Sequence, residues 1–223
     1  MAIAVADGLE SLTMARLADA VDAAVGTVYT YFPSKGALVA ELQREAIERL
    51  TASYHHLRDR SDVELAGWDP ADAALARLAA FGAFWIAATE TLPEEAALLH
   101  GLFATARTLV PPEEHHRVAP AALALLTEAG TVVVAAGEAG AIRVQEPAGA
   151  VVTMAAALTG VLLTKNLVQV EEYPFSPRRL AYALQRDLLL AWGATPERLD
   201  RAEAHLAGLA AVGPLAPRLA AEA

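Results

Sequence analysis

Proline opens one helix after another along this chain, and that punctuation limits its fold more than any other feature. A proline is tolerated in the first turn of a helix, where its missing N–H is not needed. Pro33-Ser34-Lys35 opens a helix expected to reach about His56, with Leu38, Leu42, Ala46 and Leu50 along one side. Asp69-Pro70 joins a capping side chain to a first-turn proline and predicts a helix to about Thr91. Pro93-Glu94-Glu95 and Pro112-Glu113-Glu114 repeat the signal, with acids where the helix dipole favours them. Pro147, Ser176-Pro177 and Thr195-Pro196-Glu197 open three more, running to about Val170, Trp192 and Leu209. No stretch alternates with period two for long enough to make a sheet, so the predicted class is all-α. Residues 58–68 read as a charged, irregular connection, Pro120 as a kink, Gly137 to Gly140 as a break and the tail from Gly213 as frayed.

Of the 223 residues, 55% are apolar and 20% charged, which is enough apolar surface to offset the entropy of ordering. Cysteine is absent, which excludes a disulfide framework and thiolate metal sites and fits a reducing cytoplasm. The first cation is Arg16, so no basic region precedes the opening apolar stretch as a signal peptide requires. The uncharged run Ala148 to Thr164 barely reaches the length of a membrane span, and its Ala, Gly and Thr content reads as a packed helix. The net charge is −10. In the first 50 residues Arg16, Lys35, Arg44 and Arg49 are outnumbered by carboxylates, while residues 12–36 are neutral. Attraction to nucleic-acid phosphate by bulk charge would therefore be weak, and such binding would rest on a few placed groups.

Residues 13–35 hold the most specific pattern. Thr13 can cap a helix in which Met14, Leu17, Ala18 and Val21 form one apolar face. A break at Asp22-Ala23-Ala24 follows, then a helix of about two turns with Val28 and Phe32 inward and Gly26, Thr27, Thr30 and Tyr31 outward. That outward face is small and hydroxyl-rich. Gly26 permits close approach of backbone to a phosphate, while Thr27, Tyr29 and Tyr31 donate hydrogen bonds without net charge. Lys35 falls in the first turn of the next helix, where the amides also favour an anion.

The run Gly8-Leu9-Glu10-Ser11-Leu12-Thr13-Met14-Ala15-Arg16-Leu17-Ala18, followed by Gly26-Thr27-Val28-Tyr29-Thr30-Tyr31-Phe32-Pro33-Ser34-Lys35-Gly36-Ala37-Leu38, resembles the TetR/AcrR family of repressors. The resemblance implies a three-helix DNA-binding domain, here residues 1–45, in which Thr13, Arg16, Thr27, Tyr29, Tyr31 and Lys35 meet DNA and Val25, Gly26 and Thr30 help to read bases. Four departures reduce what that implies. Asp22 stands where the family commonly has a turn glycine, which either strains the turn or demands a left-handed Asp. Ala24 cannot cap the recognition helix, and Val25 offers only an apolar contact, for instance to a thymine methyl. Family members also have a longer lead-in before Gly8, so either the first helix is shortened or the true start lies upstream.

For residues 46–212 the resemblance implies a helical body that binds an effector and dimerises. The helix after Asp69 is apolar nearly all round and must be central. Phe81, Phe84, Trp85, His100, Phe103 and Arg107 are the candidates for lining a site for a small, largely apolar molecule. Lys165, Asn166 and Gln169 are further polar candidates. In the helix from Pro147, Gly149, Thr153, Ala157, Gly160 and Thr164 form a seam of small residues that permits close helix contact. With Leu180, Leu184 and Leu188 of the next helix, the resemblance implies a four-helix homodimer interface that matches two-fold DNA half-sites.

Enzyme signatures are missing: there is no HExxH, GxSxG, phosphate loop or dinucleotide fingerprint. Glu113-x-x-His116 is single where a di-iron bundle needs two such pairs, and adjacent histidines on a helix chelate poorly. The expectation is a cytoplasmic, ligand-responsive, DNA-binding repressor that is a homodimer, without cofactor, metal or membrane. The alternative is a helical small-molecule-binding dimer whose helix-turn-helix no longer binds DNA.

Overall fold

The computed structural model describes residues 12–104, 110–164 and 176–219. All regular structure among the described residues is helical. The helices are α1 (Met14–Ala20), α2 (Val25–Tyr31), α3 (Lys35–Glu64), α4 (Pro70–Thr91), α5 (Pro93–Ala104), α6 (His115–Glu138), α7 (Pro147–Leu162), α8 (Pro177–Ala191) and α9 (Pro196–Val212), with a 3-10 turn at Pro112–Glu114 before α6. Caps act where the sequence places them. Thr13, Asp69, Ser176 and Thr195 each accept a hydrogen bond from a backbone N–H two or three residues on. Pro120 lies inside α6, which continues past it to Glu138.

Helix α3 runs well beyond the expected end near His56, through Arg58 to Glu64. No proline or glycine interrupts this stretch before Gly67, and its charged residues are engaged. Arg58 pairs with Glu128 at 2.8 Å, and Arg60 donates to the carbonyls of Leu209 and Pro214. On the inner side Ser61 is buried and lies 2.8 Å from His205 Nε2. Contacts from distant segments thus extend a helix whose local composition reads as a loop.

The chain divides into two compact units, residues 1–50 with 93–124 and residues 51–92 with 125–223. In the first, α1 packs on α2, and the opening turns of α3 bury Ala37, Leu38, Val39 and Ala40. Pro111 rests against Gly36, where a Cβ would overlap the proline ring. Gln43 is buried and donates from Nε2 to the Leu98 carbonyl of α5 at 3.3 Å. In the second unit α4 is the axis, with α7, α8 and α9 packed on it.

The segment 213–219, expected to be frayed, is held instead. Ser53 donates to the Pro217 carbonyl at 2.8 Å and Thr91 to that of Ala216 at 2.6 Å, while Leu215 and Ala216 are buried. Helix α8 meets α4 through a buried polar contact. Gln185 donates from Nε2 to the Ala79 carbonyl at 2.8 Å, and its amide fills the space left by the missing side chain of Gly82. A Cβ on Gly82 would stand 2.8 Å from Gln185 Cδ. Gly82→Ala is therefore expected to push the Gln185 amide off the Ala79 carbonyl, a loss of about 1 kcal/mol in urea unfolding that the better helix propensity of alanine partly offsets. Adding Gln185→Ala should recover part of the loss; strictly additive effects would contradict this packing.

Candidate functional site

Helix α1 begins at Thr13, whose Oγ1 accepts the Arg16 N–H at 3.2 Å and keeps its own proton for an outside acceptor. Met14 and Ala18 are buried and Leu17 is half-buried. Val21 does not complete the apolar face as expected: it is 59% exposed, because the helix ends there and its backbone has left the helical region. Asp22 then adopts φ of 50°, the left-handed alternative. Ala24 precedes α2 and gives it no side-chain cap.

Only Val28 of α2 is buried, and Phe32, just past its end, is half-buried. Val25, Gly26, Thr27, Tyr29, Thr30 and Tyr31 are all exposed, Tyr31 at 75%. The Thr30 hydroxyl donates to the Gly26 carbonyl within the helix at 3.0 Å, which holds it along the helix surface. No described residue lies within 4 Å of a Cβ placed on Gly26, which leaves the backbone there open among the described residues. Ser34 caps α3 by accepting from the Ala37 N–H at 3.0 Å, and half-buried Lys35 is the first residue of that helix. Arg16 is exposed on α1. The surface presents two phenols, hydroxyls and bare backbone in place of a basic stripe. Arg44 adds no charge to it, being paired with Glu41 and Glu48; the Arg44 guanidinium in turn holds the Glu41 carboxyl below its ordinary value.

Three of the expected effector residues lie together. Phe81, Phe84 and Trp85 are buried on α4, and Tyr54 of α3 meets Phe81 and Phe84 edge-on at 5.1 and 5.5 Å between ring centres. Trp85 Nε1 donates to Thr159 Oγ1 of α7 at 3.1 Å. Tyr54 was not among the sequence candidates, although its spacing from Leu50 and Leu57 marks it as inward-facing. His100 is buried in the other compact unit. The Phe103 side chain and Arg107 lie outside the described residues, as do Lys165, Asn166 and Gln169.

Along the small-residue seam of α7, Gly149, Thr153 and Gly160 are exposed, and Ala157 and Thr164 are half-buried. Nothing lies within 4 Å of a Cβ placed on Gly160. Val152 and Leu163 beside the seam are 47% and 48% exposed. Leu180, Leu184 and Leu188 of α8 are half-buried. Of the histidine pairs, His55 is not simply solvated but binds Glu128 at 2.8 Å, and His116 Nδ1 lies 2.7 Å from the Glu113 carbonyl. Among the described residues no three His, Cys, Asp or Glu side chains are grouped to hold a metal ion.

Residues 1–42 match the family model for bacterial regulatory proteins of the tetR family. No curated protein and no solved structure matches the chain.

Burial pushes the His100 imidazole down to about 4. The folded state therefore keeps it neutral, while the unfolded chain takes up its proton near the ordinary value of 6.5. As pH falls below that value the unfolded state binds more protons, and stability is lost until about 4, where both states are protonated. Replacing His100 by Gln should remove this slope. Urea unfolding at about pH 7 and pH 5 is expected to show the wild type losing on the order of 1–2 kcal/mol more than the variant. Equal losses would contradict a neutral buried imidazole.

Proposed function

We propose that this chain, whose residues 1–42 match the model for bacterial regulatory proteins of the tetR family, is a homodimeric repressor, released from its operator by a small, largely apolar effector. The observation that carries the reading is the face of α2, where everything but Val28 is exposed and the exposed groups are hydroxyls, phenols and bare backbone. Such groups suit positioning on phosphate oxygens, with Val25, Gly26 and Thr30 toward base edges and Thr13, Arg16, Thr27, Tyr29, Tyr31 and Lys35 toward the backbone. The first 45 residues form the DNA-binding domain in this reading, and the remaining helices bind the effector and pair the two copies. The protein works in the cytoplasm, where its DNA is.

The exposed seam of Gly149, Thr153 and Gly160 supports pairing through α7 and α8, since no described residue of the same chain fills the space over Gly160. The aromatic group of Phe81, Phe84 and Trp85 is the proposed apolar side of the effector site. Release requires the effector to bind the non-DNA conformation more tightly than the DNA-bound one.

A mobility-shift assay with DNA flanking the protein's own gene tests the core of the reading, and no specific shift would leave the helical dimer without DNA-binding as the surviving alternative. Tyr31→Phe should weaken the shifted complex about three- to tenfold, the loss of one hydrogen bond, with unchanged sedimentation. An unaltered affinity would refute the phosphate contact. Gly160→Arg, placed where no described residue stands within 4 Å of the new Cβ, should convert a sedimenting dimer to monomer with its helical circular dichroism retained. A dimer that survives would refute the seam.

A further inference from the structure

The larger compact unit contains a cleft away from the aromatic group of α4. It has a volume of about 470 Å³ and is floored by the buried Ala79, Leu189, Leu199, Leu206 and Leu215. The cleft exists because α8 and α9 each pack on α4 rather than closely on one another. Facing alanines, Ala183 on one side and Ala207 and Ala210 on the other, keep its mouth open. Connection 192–195 folds α9 back along α8, and Arg186 bridges the two by pairing with Asp200 and Glu203, each at 2.8 Å. From Leu189 to Arg178 the trough follows α8 for about 16 Å, an elongated shape with an apolar bottom.

Its polar groups are few and differ in how they are engaged. Arg186 is committed to two carboxylates. Among the described residues Arg178 pairs with Glu90, at 3.0 Å, and both side chains of that pair are about half exposed. A pair so open to water contributes little, so another carboxylate can take the place of Glu90 at small cost. The Arg178 guanidinium also lies 5.9 Å from the centre of the Tyr182 ring, which orients it over the mouth of the cleft. Tyr182 adds a phenol proton as a second donor, and Gln185 closes the floor with its amide tied to Ala79. A cavity of this volume with an apolar floor and one or two directed donors has the make-up of a small-molecule site.

We propose that the cleft between α8 and α9 binds an elongated amphipathic carboxylate, its alkyl chain along Leu189, Leu199 and Leu206 and its head group on Arg178 and Tyr182. The site is separate from the aromatic group of the effector reading, and it does not depend on DNA binding.

Isothermal titration of the full chain with decanoate tests it, with decanol as the tail without the charge and acetate as the charge without the tail. Decanoate is expected to bind once per chain, decanol about tenfold more weakly and acetate not at all. Ala207→Trp fills the mouth from an exposed position, and should abolish decanoate binding while leaving helical circular dichroism and the melting temperature unchanged. Arg178→Gln should bring decanoate down to the affinity of decanol. Absence of saturable decanoate binding, binding that survives Ala207→Trp, or decanol binding as tightly as decanoate would each overturn the assignment.

Discussion

The larger unit depends on a helix that has no polar face to give to water. In α4 buried residues run almost without interruption from Ala71 to Ala88, so the helix is stable only when surrounded. Burial of side chains such as Leu75, Leu78, Phe81, Phe84 and Ile86 is worth roughly 1.5–3 kcal/mol each, and the neighbouring helices supply that environment. Helices α7, α8 and α9 converge on it. Where a neighbour approaches closely, α4 gives way by omission: Gly82 lacks the Cβ that would strike Gln185. Small residues therefore shape the unit as much as large ones do, by setting which helices can touch α4 and how deeply.

Much of this order is legible in the sequence, because helix starts are chemical events confined to a few adjacent residues. Asp69 with Pro70, Ser176 with Pro177 and Thr195 with Pro196 place α4, α8 and α9 at their observed first residues. Helix ends and tails are another matter, since what holds them comes from elsewhere in the chain. Nothing local in residues 58–64 announces that Ser61 meets His205 or that Arg60 caps carbonyls near residue 210. Residues 213–219 carry two prolines and still order, because Ser53 and Thr91 donate to their carbonyls. Val21 fits an i, i+7 pattern and yet is exposed, since periodicity cannot say at which residue a helix stops.

In the DNA-binding region the legible part was the pattern of inward and outward residues. Val28 inward and Tyr31 outward follow from helical spacing alone, and the left-handed Asp22 follows from a three-residue break that contains no glycine. The electrostatic character needed the structure. Arg44 counts as a cation in the sequence but is neutralised by Glu41 and Glu48 on its own helix. Any affinity of this face for DNA thus comes from directed hydrogen bonds and helix amides more than from counterion release, a route that favours geometric fit over long-range attraction.

The division of labour on α8 links the two proposals made for the larger unit. At 100° per residue, Leu180, Leu184 and Leu188 form one stripe, while Arg178, Tyr182 and Leu189 lie on the opposite side of the helix. The first stripe is the proposed pairing surface, and the second lines the cleft against α9. Between them Ala181 and Gln185 are buried. One helix of 15 residues therefore carries both faces along the same turns, with exposed Arg179 and Asp187 on the remaining arc. A molecule seated in the cleft would press on the back of the helix proposed to face a second copy. Coupling between the two then needs no long pathway. It requires only that the filled and empty clefts favour different positions of α8, so that ligand and partner bias the same element.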